Sequence, residues 1–128
     1  MIKLYNKVSN SDGGNKNGTE VNEGNKVSFI LNSSENQEDT QPLGIRCDDG
    51  FKTVSPVIIS LENTSREKWA LSKDGQAWGE WGASLTLEDE ISDVNTIIYI
   101  KAKATQAEGA KIDTSCEIRI QTTIGATV

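Results

Sequence analysis

The most constraining feature of this chain is a strict two-residue alternation near its C-terminus. Ile112, Thr114, Cys116, Ile118 and Ile120 fall on one side of an extended backbone, and Asp113, Ser115, Glu117, Arg119 and Gln121 fall on the other. Side chains on a strand point alternately to opposite faces, whereas a helix gathers positions three and four apart, so this pattern predicts a strand with one buried face. The same period recurs at Val27, Phe29 and Leu31, at Leu43, Ile45 and Cys47, and at Trp69 and Leu71. Turn chemistry separates the runs: Asp48-Asp49-Gly50 and Lys73-Asp74-Gly75 are hairpin-type signals, and Pro56 suits the start of a strand over 57–61. Ile97-Ile98-Tyr99-Ile100 is apolar on both faces, which predicts a central strand covered on both sides at that end. The segment 86–92 has helical character for one turn, and no stretch sustains a 3.6-residue period. The expected fold is all-β, an antiparallel β-sandwich or small barrel of about seven or eight short strands. Its expected core includes Val27, Phe29, Leu43, Ile45, Trp69, Leu71, Ile98, Ile100, Ile118 and Ile120.

At 128 residues the chain has the size of one domain. Residues 10–25 are Asn, Gly, Ser and charged side chains almost throughout, too polar to bury and rich in turn formers. They predict a loop or mobile linker, and with it a division into an N-terminal arm and polar linker over 1–25 and a sandwich domain over 26–128. Ile2, Leu4, Tyr5 and Val8 then become the apolar tip of an arm able to dock on a neighbour, with the linker giving it reach. A second polar stretch, 32–40, is expected to be a long loop.

Thirteen basic and 19 acidic residues leave a net charge of −6, so a nucleic-acid partner, which requires a basic stripe, is not expected. No apolar run is long enough to insert in a membrane as a helix, and the first residues do not form a secretory signal, which predicts synthesis in the cytoplasm. Three Asn-x-Ser/Thr triplets, beginning at Asn17, Asn32 and Asn63, are on that expectation chance products of an Asn-rich chain.

Histidine is absent, which removes the commonest general base near neutral pH and the commonest metal ligand. No phosphate loop or dinucleotide fingerprint occurs, so neither enzyme activity nor a cofactor is expected. Glu88, Asp89, Glu90 and Asp93, with Asp48 and Asp49, invite a calcium reading, but no calcium-loop motif accompanies them and a solvated acidic surface is the expectation. Cys47, Trp69 and Cys116 follow the chain order of an immunoglobulin disulfide and its packing tryptophan, with different spacing and without the tyrosine two residues before the second cysteine. Buried thiols and a Cys47–Cys116 bridge both remain open. The segment 76–82, Gln-Ala-Trp-Gly-Glu-Trp-Gly, places Trp78 and Trp81 beside a turn. Such aromatics either pack in the core or, with Tyr99, form a stacking surface for a sugar or an anchor for a protein. In a regular strand a three-residue spacing sends the two indoles to opposite faces, unless Gly79 bends the chain.

Several strings in order, 43–50 (LGIRCDDG), 68–75 (KWALSKDG), 78–82 (WGEWG), 95–104 (NTIIYIKAKA) and 113–115 (DTS), resemble small bacteriophage virion proteins with an immunoglobulin-like sandwich. The similarity covers roughly residues 40–128. It implies an immunoglobulin-like fold and a non-enzymatic structural or accessory role in the virion, decorating a capsid, tail or baseplate through contacts with phage structural proteins. The alternative is a carbohydrate-binding module that recognises a cell-surface glycan through Trp78, Trp81 or Tyr99.

Overall fold

The computed structural model describes residues 1–27, 29–31, 38–62, 66–103, 111–113 and 117–126. Twelve strands run through them: β1 (Ile2–Asn6), β2 (Thr19–Glu20), β3 (Phe29–Leu31), β4 (Glu38–Cys47), β5 (Phe51–Thr53), β6 (Val57–Glu62), β7 (Trp69–Ser72), β8 (Leu85–Leu87), β9 (Thr96–Lys103), β10 (Lys111–Asp113), β11 (Glu117–Gln121) and β12 (Ile124–Ala126). Two one-turn 3-10 helices, Asn10–Asp12 and Arg66–Lys68, are the helical elements among the described residues. The count exceeds the seven or eight strands expected because many are two- or three-residue pieces that sequence periodicity does not resolve.

All pairings are antiparallel. One sheet has the order β2-β1-β4-β9-β7, a second β11-β6-β8, and two strand pairs, β3 with β10 and β5 with β12, complete the set. The two larger sheets form a β-sandwich, since their buried faces meet in one apolar cluster. Leu4, Leu43, Ile45, Trp69, Leu71, Ile98, Ile100 and Ala102 come from the five-stranded sheet, and Val57, Ile59, Leu61 and Leu87 from the three-stranded one. The alternation that defined the strands therefore selects the core: Val57, Ile59 and Leu61 are buried while Ile58 between them is exposed. Trp69 is completely buried and is the largest side chain of the core.

Three expectations need correction. First, residues 2–6 are not a free arm. Ile2, Lys3, Leu4 and Tyr5 pair with Cys47, Arg46, Ile45 and Gly44 of β4, and Leu4 and Tyr5 are buried. Val8 is half-buried beside Gly18. An apolar alternation of that kind, placed next to an open strand, gains burial and a backbone ladder by joining the sheet. The boundary at residue 25 is thus crossed by a continuous sheet. Second, β4 begins at Glu38, within the segment expected to be a loop, because Glu38, Asp39 and Thr40 pair with Lys103, Ala102 and Lys101 of β9. Pro42 is tolerated in its interior because β1 joins only from Gly44 onward, so that among the described residues no strand pairs with β4 on that side at the proline. Third, the alternating run 112–121 serves two pairings, β10 with β3 and β11 with β6. Ile118 and Ile120 pack against the core but stay partly exposed. Phe29 contributes only backbone to the description, and Cys116 lies outside the described residues.

Candidate functional site

The outer face of the five-stranded sheet, opposite the core, is where the candidate aromatics meet. Residues directly paired in neighbouring strands project to one side, so the register Tyr5↔Gly44↔Ile97, Pro42↔Tyr99↔Ser72 and Thr40↔Lys101↔Ala70 defines this face. Two loops lie across it.

The first is the polar segment after β1, which is fastened down rather than mobile. The Asn95 N–H donates to the Asn15 carbonyl at 2.7 Å, and the Gly14 N–H donates to the Asn95 carbonyl at 2.9 Å. Arg46 Nη1 donates to the Asn17 carbonyl and to Asn95 Oδ1, both at 2.8 Å, while Asn95 Nδ2 donates to the same Asn17 carbonyl at 3.0 Å. The Arg46 guanidinium also lies 3.6 Å from the centroid of the Tyr5 ring, a cation–π contact. Lys16 pairs with Asp49 at 2.8 Å. A polar composition predicts solvation, yet here it supplies the hydrogen bonds that hold the loop on the sheet, and it covers Ile97 from outside as the doubly apolar run required.

The second loop leaves β7 and folds back on it. Ser72 Oγ accepts from the Asp74 and Gly75 N–H groups, and its one hydroxyl proton is shared between the Ala77 carbonyl at 2.8 Å and Asp74 Oδ1 at 3.0 Å. Asp74 Oδ1 accepts from the Gln76 and Ala77 N–H groups, both at 2.9 Å. These backbone donors, Ala77 first, with the Ser72 hydroxyl, hold the Asp74 carboxyl below its usual range. Gly75 occupies the left-handed region at φ 77°, the conformation this tight turn demands of a glycine. The Gly79 N–H then donates to the Leu71 carbonyl at 3.2 Å and the Gly82 N–H to the Trp69 carbonyl at 2.8 Å. The chain thereby meets two outward carbonyls of β7, the last strand of its sheet.

That return path decides where the tryptophans go. Residues 78–82 are not a strand, so the opposite-face rule does not apply, and both indoles settle half-buried over β9. Lys101 Nζ lies 4.7 Å from the Trp78 ring centroid and 4.9 Å from that of Trp81, and Lys103 Nζ lies 4.4 Å from Trp81. Contacts of this geometry contribute about 0.5–1 kcal/mol each at exposed positions. Lys101 also meets Glu38 at 3.8 Å. Tyr99, the third candidate, sits on the same face but is engaged: its hydroxyl donates to Asn10 Oδ1 at 2.8 Å, and its ring underlies Gly75 so closely that a Cβ there would approach it to 3.3 Å. All three candidates are half-buried, and Tyr99 differs in being hydrogen-bonded, tying the two covering loops to the strand between them. Lys101 and Lys103 were not singled out by sequence motifs. Their signal was the alternation after Tyr99, which places both on the Tyr99 face, but only the fold shows that the tryptophans lie there too.

The other residues considered for chemistry are dispersed. Among the described residues no group of three or more acidic or cysteine side chains is arranged to hold a metal. Asp48 pairs with Lys3 and the terminal ammonium, Asp93 lies 3.9 Å from Lys16, and Glu90 pairs with Lys52. Cys47 is a buried free thiol whose Sγ contacts the Ile91 carbonyl at 3.6 Å, and burial raises its pKa. Cys116, the partner a bridge would need, is outside the described residues. Among those residues no helix is long and apolar enough to cross a membrane.

The fold and this surface together define an all-β sandwich with a half-exposed aromatic and cationic outer face. Comparison of the chain with family models, with curated proteins and with solved structures found no match.

Proposed function

We propose that the chain is a non-enzymatic accessory protein of a bacteriophage particle, immunoglobulin-like in connectivity, that decorates a capsid, tail or baseplate by protein–protein assembly. The observation that carries this reading is the placement of Trp78 and Trp81 together, half-exposed, on a face whose loops are fixed by hydrogen bonds at both ends. Tryptophan is enriched among the residues that dominate interface energies, and anchors on a rigid scaffold lose little conformational freedom on binding. The string resemblance over residues 40–128 supports the phage assignment. The attachment surface in this reading is the tryptophan face, since the N-terminal segment is consumed by the sheet. In many copies on a symmetric lattice a weak contact suffices, because avidity multiplies affinity by about 10²–10⁴. The protein would be made in the bacterial host cytoplasm and reside in the virion.

A second reading, recognition of a cell-surface glycan, is favoured by one specific feature: the two indoles neighbour the same ammonium, which brings both within reach of one ligand. The test is imaging of purified particles made with the native chain and with Trp78→Ala and Trp81→Ala, alongside a glycan array probed with the free protein. Incorporation that fails in both variants supports assembly. Absence from every particle, with glycan binding lost in the same variants, overturns assembly in favour of the glycan reading.

A further inference from the structure

We propose that the cluster of Trp78, Trp81, Lys101 and Lys103 is a binding site for an acidic saccharide, a pyranose unit carrying a carboxylate. This rests on the glycan reading of that face and gives its ligand a charge. The argument begins with the two ammonium groups. Lys101 is held between the indoles of Trp78 and Trp81 with its side chain only 21% exposed, and Lys103 sits against the same Trp81. Ring contacts restrain side chains that are otherwise among the most mobile on a protein surface, so an arriving anion meets donors already in place.

Their charge is only partly answered from within the chain. Among the described residues one carboxylate pairs with them, that of Glu38, at 3.8 Å from Lys101 and itself 54% exposed. A longer-range attraction therefore remains for an anion that reaches this face, in a molecule whose net charge of −6 otherwise repels it. The same net charge disfavours a long polyanion such as nucleic acid, and favours a short ligand that brings its few negative groups to one spot. Each ammonium lies 4.4 to 4.9 Å from a ring centroid. The lysines take the ring faces turned to them, so a sugar would lay its C–H face on the other side of an indole and reach round the ring edge to an ammonium with the carboxylate on its rim. An acidic peptide offers the charge without the flat C–H face.

Glu38 competes with the ligand for Lys101, which gives the site a variant that should bind better as well as variants that should bind worse. In calorimetric titration of the full chain, tetragalacturonic acid should bind at least about tenfold more tightly than neutral galactotetraose, a gap that salt narrows as it screens the lysines. Lys103→Gln should weaken tetragalacturonate binding about tenfold and leave the neutral sugar unaffected, with only the small drop in melting temperature that losing one cation–π contact implies, whereas Glu38→Gln should strengthen the binding. These two surface variants report even if Trp81→Ala fails to fold. Equal binding of both sugars, lost in Trp81→Ala, would overturn the acidic site while leaving a glycan reading standing. Binding of neither sugar would overturn both. Preference for hexaglutamate over tetragalacturonate would also overturn the proposal, making this a site for acidic peptide.

Discussion

Gly44 and Asn95 touch so closely that a Cβ on the glycine would stand 2.8 Å from the Asn95 amide oxygen. That amide cannot move aside freely. It accepts from Arg46 and donates to the Asn17 carbonyl, and the Asn95 backbone is hydrogen-bonded to Asn15 and Gly14. Glycine is needed here for proximity rather than for an unusual backbone angle. It lets the loop after β1 lie flat on the sheet.

Gly44→Ala should therefore destabilise the fold by about 1–3 kcal/mol, the range for forcing extra volume into a packed site. Amides of residues 13–17 should exchange faster in the variant, because the loop is the part that must lift. Urea unfolding followed by hydrogen exchange checks both. A loss under about half a kcal/mol, as at an ordinary surface position, would show that the Asn95 contact does not constrain the loop.

How much of this was legible in the sequence depends on whether the cause was local. Leu43, Ile45, Trp69, Leu71, Ile98 and Ile100 announce themselves by alternation, and all are buried in the structure. Ile2 and Leu4 alternate in the same way, but the polar stretch that follows them disguised a strand as a tether. Their true partner, β4, is some forty residues distant, and pairing over that interval has no local mark. Trp78 and Trp81 depend on the bend at Gly79 that the sequence leaves open. A three-residue spacing opposes two side chains only in a regular strand, whereas the N–H groups of Gly79 and Gly82 turn the chain back onto β7. Hydrogen-bond closure of a sheet edge is a property of the assembled fold, so no window of sequence contains it.

Acidification should loosen the turn that presents Trp78. The Asp74 carboxyl is held below its ordinary value by the N–H groups of Ala77 and Gln76 and by Ser72. A group with a depressed folded pKa contributes stability that is present above its unfolded value, near 3.9, and is lost as pH falls through the folded value. Asp48 and Asp12 are shifted in the same direction. Stability should therefore be flat above about pH 5 and decline below about pH 4. Tryptophan fluorescence should report a change near the turn over that interval, and Asp74→Asn should remove its part of the response. An identical acid profile in the variant would assign the response to other carboxylates.

Burial predicts an asymmetry between two isoleucines in neighbouring strands of the three-stranded sheet. Ile59 is completely buried, and Ile118 packs against the core while remaining partly exposed. Ile59→Ala should cost about 2–5 kcal/mol, with Ile118→Ala costing clearly less because part of its side chain already faces water. Chemical denaturation of the two variants side by side decides it. Equal losses would mean that β11 is packed more deeply than its exposure indicates.

The closure of β7 predicts what happens when it is opened. β7 is the last strand of its sheet, and its outward Leu71 and Trp69 carbonyls are met by the N–H groups of Gly79 and Gly82. Proline at 79 has no N–H to offer, and its ring would occupy the space through which the Leu71 carbonyl is reached. Alanine at 79 keeps the donor, and its Cβ would stand 3.6 Å from that carbonyl, an ordinary contact. Gly79→Ala should therefore behave much like the parent, while Gly79→Pro should lose about 1 kcal/mol or more and leave a carbonyl at the edge without its partner. An opened edge is a template for another chain, so the proline variant should also associate as concentration rises. Light scattering across a dilution series, paired with thermal melts, separates the two effects. Indistinguishable behaviour of the alanine and proline variants would show that the hydrogen bond at Gly79 contributes nothing, and that β7 is protected by the bulk of the overlying indoles alone.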